Sequence, residues 1–380
     1  MRWSDEVWSE VRGRVGFITL NRPKALNALS LPMIRELSAV LQAWASDARV
    51  LAVAIRGSDK HGPFGAFCAG GDIRFFHQAA LSGDARLEDF FTEEYALNHL
   101  IHRYPKPYIA FMDGVVMGGG MGLSQGARLR IVTERTQMAM PETLIGLFPD
   151  VAGGYFLSRC PGHLGEYLAL TGQTLHGPEA LCAGLADACM PSAQQAALWQ
   201  SLGDGAWSDA TALMQDLHGQ VAASTAEMRP VVLPWWSDAL DAVFALCDVT
   251  AMAQELARCS AAADASSEPA SARVLAALRQ RSPLMLHVTL TQIRRARGMA
   301  LADELRMERD MMRHCFHTDH LQRRAAETET VEGIRALVVD KDRQPRWSPA
   351  RLEDITPEMV QPFFVSPWPM ALHPLRDLRD

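Results

Sequence analysis

Two glycine-bearing segments precede a pair of carboxylates in this chain of 380 residues. The segments are residues 67–72 (FCAGGD) and 113–122 (DGVVMGGGMG), and the carboxylates are Glu142 and Asp150. Where a chain turns on glycine, its peptide N–H groups can approach a ligand closely, and two such turns can aim two donors at one carbonyl oxygen. The carboxylates would supply proton transfer beside that oxygen. This combination predicts an active site for an acyl thioester.

The glycines at residues 118–122 fit neither the dinucleotide-binding nor the phosphate-loop pattern, and no lysine follows them. We predict that they begin a helix, where free N–H groups and the positive end of the helix dipole suit a developing oxyanion. The alternative is that they only let a helix pack tightly on a sheet. The earlier segment would supply the second donor, with Asp72 capping a helix and Cys68 a packed thiol.

Three carboxylates occur in apolar surroundings. Glu142 and Asp150 flank residues 144–149, which are mostly apolar, so their pKa values are either raised by burial or perturbed by structural pairing. Glu94 falls on the apolar stripe of a predicted helix at 87–104, together with Leu97. A buried carboxylate needs compensation, so we expect either an arginine partner or an active-site role.

Composition and charge limit the kinds of partner. The formal net charge of −7 gives no reason to expect nucleic acid or an anionic membrane. No apolar run has the length of a transmembrane helix, the start lacks a signal-peptide pattern, and the seven cysteines lack paired spacing. We therefore expect a cytoplasmic protein with reduced thiols. His314, His317 and His320 could share a helix face, but we predict no metal site.

Hydrophobic patterns predict an α/β fold whose C-terminal half is mainly helical. Strands are predicted at residues 14–20, 50–56, 108–112 and 129–133, and helices at 31–45 and 87–104. From about residue 179 the strand signal fades. We expect a core at residues 1–190 and a helical region at 191–380 that completes the fold.

The motifs, in this order, resemble those of the enoyl-CoA hydratase/isomerase (crotonase) superfamily. They lie at residues 21–29 (NRPKALNAL), 67–72, 113–122 and 141–142 (PE). Further segments resemble the 3-hydroxyisobutyryl-CoA hydrolase branch of this superfamily, namely residues 93–98 (EEYALN), 140–157 (MPETLIGLFPDVAGGYFL), 331–336 (VEGIRA) and 340–342 (DKD).

The resemblance implies a crotonase-like ββα spiral and assigns roles to residues. The oxyanion donors would be the N–H groups of Ala69 and Gly119, and Glu142 matches the family glutamate. Glu94 and Asp150 match further pocket positions of the hydrolase branch.

Three other positions bear on the substrate and the reaction. We also predict that Lys24 and Gly70 bind substrate. Lys24, one of only four lysines, could meet ligand phosphates, although a solvated surface lysine is the alternative. At Gly122, typical hydratases of the superfamily carry a second catalytic glutamate. Its absence here favours a hydrolase over a hydratase.

The resemblance thus implies hydrolysis of a short branched hydroxyacyl-CoA, above all 3-hydroxyisobutyryl-CoA in valine breakdown. Glu142 would attack the carbonyl carbon or activate a water, and the residue types leave both routes open. The alternatives are an enoyl-CoA hydratase or isomerase and a non-catalytic acyl-CoA-binding protein. The expected partner is the acyl-CoA substrate, with no separate cofactor, no nucleic acid and no membrane, and we allow for a homo-oligomer.

Overall fold

The computed structural model describes residues 5–228, 233–262 and 269–380. The chain divides into two compact units, each built from three segments of sequence. Unit 1 comprises Met1–Gly71, Glu93–Ala139 and Thr174–Val232, and unit 2 comprises Asp72–Thr92, Met140–Gln173 and Leu233–Asp380. Residues before 190 contribute to both units, so these units differ from the predicted division at residue 190.

The strands of the described residues all belong to unit 1. They are β1 (Val7–Arg12), β2 (Val15–Leu20), β3 (Ala52–Asp59), β4 (Gly62–Pro63), β5 (Tyr108–Met112), β6 (Val115–Met117), β7 (Leu129–Val132), β8 (Gln137–Ala139), β9 (Leu175–His176) and β10 (Ala188–Cys189). The larger sheet has the order β1-β2-β3-β5-β7-β10, with β4 paired to β3, and the smaller sheet has the order β6-β8-β9.

Parallel pairing dominates the centre of the larger sheet, from β2 through β10. The side chains from Ala52 to Ile55 are fully buried, as expected for a central strand that is covered on both faces. On one face, Trp199 packs edge-to-face on Phe17 and Phe111, with ring centroids 4.8 and 5.3 Å apart. These aromatic contacts help to hold the sheet rigid beneath its loops.

Helices form most of the rest of the described chain. They are α1 (Leu31–Ser46), α2 (Ile73–Ser82), α3 (Arg86–His102), α4 (Gly119–Ser124), α5 (Gly153–Leu157), α6 (Leu164–Thr171), α7 (Glu179–Cys182), α8 (Gln195–Asp204), α9 (Ala210–Met228), α10 (Asp238–Phe244), α11 (Val249–Ala261), α12 (Ala270–Arg279), α13 (Pro283–Ala296), α14 (Leu301–Phe316), α15 (Glu329–Ile334) and α16 (Pro357–Val360). None of the helices in the described residues is long and apolar enough to cross a bilayer.

Sequence patterns located the main elements to within a few residues. The strand predicted at 108–112 is observed as Tyr108–Met112, and the helix predicted at 31–45 is Leu31–Ser46. The helix begins where expected because Ser30 accepts a hydrogen bond from the N–H of Met33. The prediction of an α/β fold with a mainly helical C-terminal region is confirmed.

In unit 2, the long helices α13 and α14 pack against the short helix α5. Their apolar stripes are buried, including Leu286 and Ile293 on α13 and Leu305 on α14. These two helices therefore form a rigid support for the turn that precedes α5, which carries Asp150.

Candidate active site

In unit 1, the two glycine segments lie side by side. The N–H groups of Phe67 and Cys68 donate to the carbonyl oxygen of Val115, at 3.1 and 2.9 Å. In return, the N–H of Met117 donates to the carbonyl oxygen of Cys68 at 3.0 Å. Backbone pairing with β6 therefore holds the first glycine segment against the second.

Gly119 is the first residue of α4, as the sequence predicted. It follows Gly118, whose φ of 48° lies in the left-handed region that favours glycine. The N–H of a first helical residue has no partner within its helix, and no acceptor for it occurs in the described part of the chain. A Cβ built on Gly70 would lie 3.7 Å from the Gly119 nitrogen. The free donor thus lies close to the other glycine segment.

The structure departs from the prediction for Ala69. Its N–H already donates to the carbonyl oxygen of Leu26 at 3.0 Å, because the turn at residues 23–26 runs beside this segment. The next two N–H groups, of Gly70 and Gly71, have no acceptor among the described residues. A second oxyanion donor in this segment would therefore come from Gly70 or Gly71 rather than from Ala69.

Asn27 organises this loop, a role that sequence reasoning did not assign. Its side chain is fully buried, and its Nδ2 donates to the carbonyl oxygens of Ser58, Ala66 and Phe67 at 2.8, 2.9 and 3.1 Å. One amide thus ties the chain at residue 58 to the approach of the glycine segment. The available signal was the position of Asn27 within the motif at residues 21–29.

Glu94 is buried beside Gly119. Its side chain is 2% exposed, and a Cβ built on Gly119 would lie 2.7 Å from its Oε1 atom. The helical stripe therefore located this carboxylate correctly. Burial raises the pKa of the neighbouring Cys68 thiol to about 12, and the negative charge of Glu94 acts in the same direction. Cys68 is therefore a neutral packed thiol and not a nucleophile.

Two other predicted residues have different outcomes. Asp72 caps α2, because its side chain accepts a hydrogen bond from the N–H of Phe75 at 3.3 Å, which confirms the prediction. Lys24 is exposed in the short turn Pro23–Ala25. Its role in binding phosphate stays a prediction.

In unit 2, Glu142 begins a short 3-10 helix, Glu142–Ile145, which ends at Gly146 with a φ of 68°. The Glu142 side chain is buried, and its Oε2 atom has no hydrogen-bond partner within the described residues. Burial raises the pKa of Glu142 well above its usual value, and the negative charges of Asp150 and Glu308 raise it further. A carboxyl group with a raised pKa is suited to proton transfer near neutral pH.

Asp150 lies in a tight turn and acts electrostatically on Glu142. Its side chain is 7% exposed, and the N–H of Gly153 donates to its carbonyl oxygen at 2.8 Å. The next two residues, Val151 and Ala152, have φ values of 57° and 67°, a region that side-chain-bearing residues seldom adopt. Unit 2 thus brings together the two carboxylates predicted from the sequence and holds one of them on a strained turn.

Two further buried carboxyl groups of unit 2, Glu304 and Glu308 on α14, were not singled out from the sequence. Both are fully buried, and burial raises the pKa of both groups, that of Glu304 to about 7. The available signal was the same one that located Glu94, because Glu308 falls on the apolar stripe with Leu305 and Met312.

Two of the three histidines near the end of α14 contact backbone oxygens. The His314 Nε2 atom lies 2.8 Å from the Val365 oxygen, and the His320 Nε2 atom lies 3.0 Å from the Met359 oxygen. Over residues 5–228, 233–262 and 269–380, no group of three or more His, Cys, Asp or Glu side chains is placed to hold a metal ion.

Comparison with known families decides the assignment of the chain. A sequence profile described as enoyl-CoA hydratase/isomerase matches residues 15–364. The chain belongs to the enoyl-CoA hydratase/isomerase family. The resemblance inferred from the motifs is thereby confirmed over nearly the whole chain.

Three curated relatives are named as 3-hydroxyisobutyryl-CoA hydrolases, one of them as a probable one. A protein of Gallus gallus named 3-hydroxyisobutyryl-CoA hydrolase, mitochondrial, is 36% identical over 362 residues, which are 94% of this chain and 88% of the relative. Its namesake in Xenopus tropicalis is 39% identical over 93% of this chain and 87% of the relative. A protein of Arabidopsis thaliana named probable 3-hydroxyisobutyryl-CoA hydrolase 3 is 37% identical over 96% and 92%. The resemblance to the hydrolase branch is confirmed.

Solved structures of the same family share the fold. A crystal structure titled carnitinyl-CoA dehydratase, from Mycobacterium thermoresistibile, has a TM-score of 0.81 and 32% identity and covers 99% of this chain and all of its own. One titled enoyl-CoA hydratase, from Rhodobacter sphaeroides 2.4.1, has a TM-score of 0.77 and 34% identity and covers 95% of this chain and 98% of its own. The expectation of a crotonase fold is confirmed.

The comparisons also correct one prediction. The sequence led us to expect a cytoplasmic protein, but the relatives from Gallus gallus and Xenopus tropicalis are named as mitochondrial, so that prediction is wrong. The physical reason is that an acidic composition and reduced thiols suit any reducing compartment and do not distinguish one from another.

Proposed function

We propose that this chain hydrolyses the thioester of 3-hydroxyisobutyryl-CoA to 3-hydroxyisobutyrate and free CoA, as a step of valine breakdown. The observation that carries the proposal is the buried Glu142, whose pKa is raised by its surroundings and by the neighbouring Asp150. The names of the curated relatives support the same reaction.

In the proposed reaction, backbone N–H groups stabilise the oxyanion and Glu142 transfers the proton. The thioester oxygen would accept hydrogen bonds from the N–H of Gly119 and from that of Gly70 or Gly71, which stabilise the negative charge that develops on it. Glu142, when ionised, takes a proton from water as the water oxygen bonds to the carbonyl carbon. When the tetrahedral intermediate collapses, the carbon–sulfur bond breaks and the CoA sulfur receives that proton.

An alternative first step has Glu142 attack the carbonyl carbon itself, which releases CoA and leaves a mixed anhydride for water to hydrolyse. In either route Asp150 orients the water or assists proton transfer, and Glu94 binds the substrate hydroxyl. Lys24 would contact the phosphates of CoA. No separate cofactor is needed, since CoA is part of the substrate.

The main alternative function is that of a hydratase or isomerase of the same family. The two solved structures are titled as a dehydratase and a hydratase. Addition of water across a double bond in typical hydratases of this family uses a second glutamate. The matching position here is Gly122, which has no side chain and is buried within α4. The missing acid favours hydrolysis.

The test is release of free thiol from 3-hydroxyisobutyryl-CoA, measured with a thiol reagent, alongside a series of acyl-CoA thioesters of different length and branching. We expect turnover to be fastest with the branched hydroxyacyl group and to be lost in Glu142→Gln. Decay of enoyl-CoA absorbance without thiol release would contradict the proposal.

A further inference from the structure

Asp150 is held in place by a side chain that lies far from it in the sequence. Glu308 on α14 accepts hydrogen bonds from two N–H groups of the turn that follows Asp150. Its Oε2 accepts from Ala152 at 2.8 Å, and its Oε1 accepts from Gly154 at 3.0 Å. Ala152 has no capping side chain of its own, so Glu308 supplies the acceptor that the start of α5 lacks.

Gln292 on α13 completes the arrangement. Its Nε2 donates to the carbonyl oxygen of Pro149 at 2.7 Å and to Glu308 Oε1 at 3.0 Å. Two buried side chains from two helices therefore hold the residue before Asp150 and the second and fourth residues after it. Side-chain contacts to both sides of one residue fix its direction more closely than either contact alone.

The turn needs such support because its backbone is strained. Val151 and Ala152 both have positive φ, and a β-branched residue is especially unfavourable there. Such conformations persist only where the surrounding structure holds them. The same turn determines how close the Asp150 charge comes to Glu142, on which that charge acts.

Glu304, one turn earlier on α14, is also fully buried, and neither of its carboxyl oxygens has a hydrogen-bond partner within the described residues. Three N–H donors point instead at Glu308, namely those of Ala152, Gly154 and the Gln292 side chain.

We infer that Glu308 is a positioning residue for the thioester reaction, acting through the turn that carries Asp150, with Gln292 as its partner. This inference rests on the proposed function. It extends the site to a residue on α14 that does not itself touch the substrate.

The experiment compares Glu308→Gln with Glu304→Gln as a matched control. The first change replaces one acceptor oxygen by an amide that faces the N–H donors of the turn. The second makes the same exchange one turn earlier on α14, at a buried carboxyl group that takes no part in the hydrogen bonds from Ala152, Gly154 and Gln292. We expect Glu308→Gln to lower kcat at least about tenfold with little change in KM, and Glu304→Gln to stay within about threefold of the wild type.

A double-mutant cycle with Asp150→Asn separates positioning from general destabilisation. If Glu308 acts through Asp150, adding Glu308→Gln to Asp150→Asn should lower kcat by less than about twofold further. A full further loss in that background, or an unchanged kcat in Glu308→Gln alone, would overturn the inference. If Glu308→Gln does not fold, Gln292→Met replaces it in the same double-mutant cycle with Asp150→Asn. This change removes the side-chain donor to Pro149 and to Glu308.

A measurement that does not depend on activity distinguishes the inference about Glu308 from the proposed hydrolase function. Amide hydrogen exchange at Ala152 and Gly154 should be slow in the wild type and in Glu304→Gln and much faster in Glu308→Gln. Equal exchange in all three proteins would overturn the role of Glu308, whatever the activity. Slow exchange in a wild type that does not cleave thioesters would contradict only the proposed function.

Discussion

Gly119→Ala tests the oxyanion donor with the smallest change that the chain allows. The added methyl carbon would lie 2.7 Å from Glu94 Oε1, 3.1 Å from Leu29 Cδ1 and 3.5 Å from the carbonyl carbon of Gly70. The last distance is an ordinary contact, and the first two involve side-chain ends that can move. Glu94 must retreat by about 0.7 Å to reach an ordinary contact of 3.4 Å.

The expected cost falls on catalysis more than on folding. Overpacking of this kind lowers the free energy of unfolding by about 1–3 kcal/mol, which leaves a protein of this size folded. Displacing Gly119 N–H and Glu94 together should lower kcat by about a hundredfold, equivalent to about 2.7 kcal/mol of transition-state stabilisation.

The assay is thiol release from 3-hydroxyisobutyryl-CoA, with urea unfolding and CoA binding measured on the same preparations. Gly219→Ala is the matched control, because a Cβ at this mid-helix position of α9 meets no atom within 4 Å. It should keep full activity and gain up to about 1 kcal/mol of stability. A Gly119→Ala protein with kcat within about threefold of the wild type would refute the role given to this N–H.

Three further outcomes are expected. Glu142→Gln should bind CoA as the wild type does but turn over at least about a hundredfold more slowly in the thiol assay, and an active variant would remove Glu142 from the reaction. Because Asp150 raises the pKa of Glu142, and Glu142 must be ionised to act, the acid limb of the pH–rate profile should move to lower pH in Asp150→Asn; an unmoved limb would contradict this coupling. Burial raises the pKa of Glu304 to about 7 from 4.5, so the folded protein holds a proton that the unfolded chain releases, and the stability it contributes is lost as pH rises through 7. Glu304→Gln should therefore lose less stability than the wild type between pH 5 and pH 8 in urea unfolding, by roughly 1–3 kcal/mol, and identical losses would contradict the burial argument.

Local patterns in the sequence predicted much of the fold and the burial of three carboxylates, Glu94, Glu142 and Asp150. The helix α1 and the strand β5 follow from apolar periodicity and from capping by Ser30, all of which are properties of neighbouring residues. Glu94 was found because a carboxylate on an apolar helical stripe must be buried. Glu142 and Asp150 were singled out because their neighbours are apolar and because they lie in a segment that resembles the family's motifs, and their roles in the reaction stay predictions.

The errors arose where distant parts of the chain meet. The N–H of Ala69 is occupied by a carbonyl more than forty residues earlier, at Leu26, and no local pattern reports that contact. Glu308 binds the turn after Asp150 from more than 150 residues away, and its position on a helical stripe was the only hint. The two compact units each gather three separate segments of sequence, and the predicted division at residue 190 stays a prediction. Such contacts are decided by packing, which sequence spacing does not encode.

The most direct test of the proposed reaction follows oxygen from water enriched in its heavy isotope. The protein is incubated with 3-hydroxyisobutyryl-CoA in this water, and the products are separated and their masses are measured by mass spectrometry. Hydrolysis predicts free CoA thiol and a carboxylic acid that carries heavy oxygen in its carboxylate. An acyl group that remains attached to CoA, having lost its hydroxyl as water or exchanged it for heavy oxygen, would contradict hydrolysis and assign the protein to the hydratases.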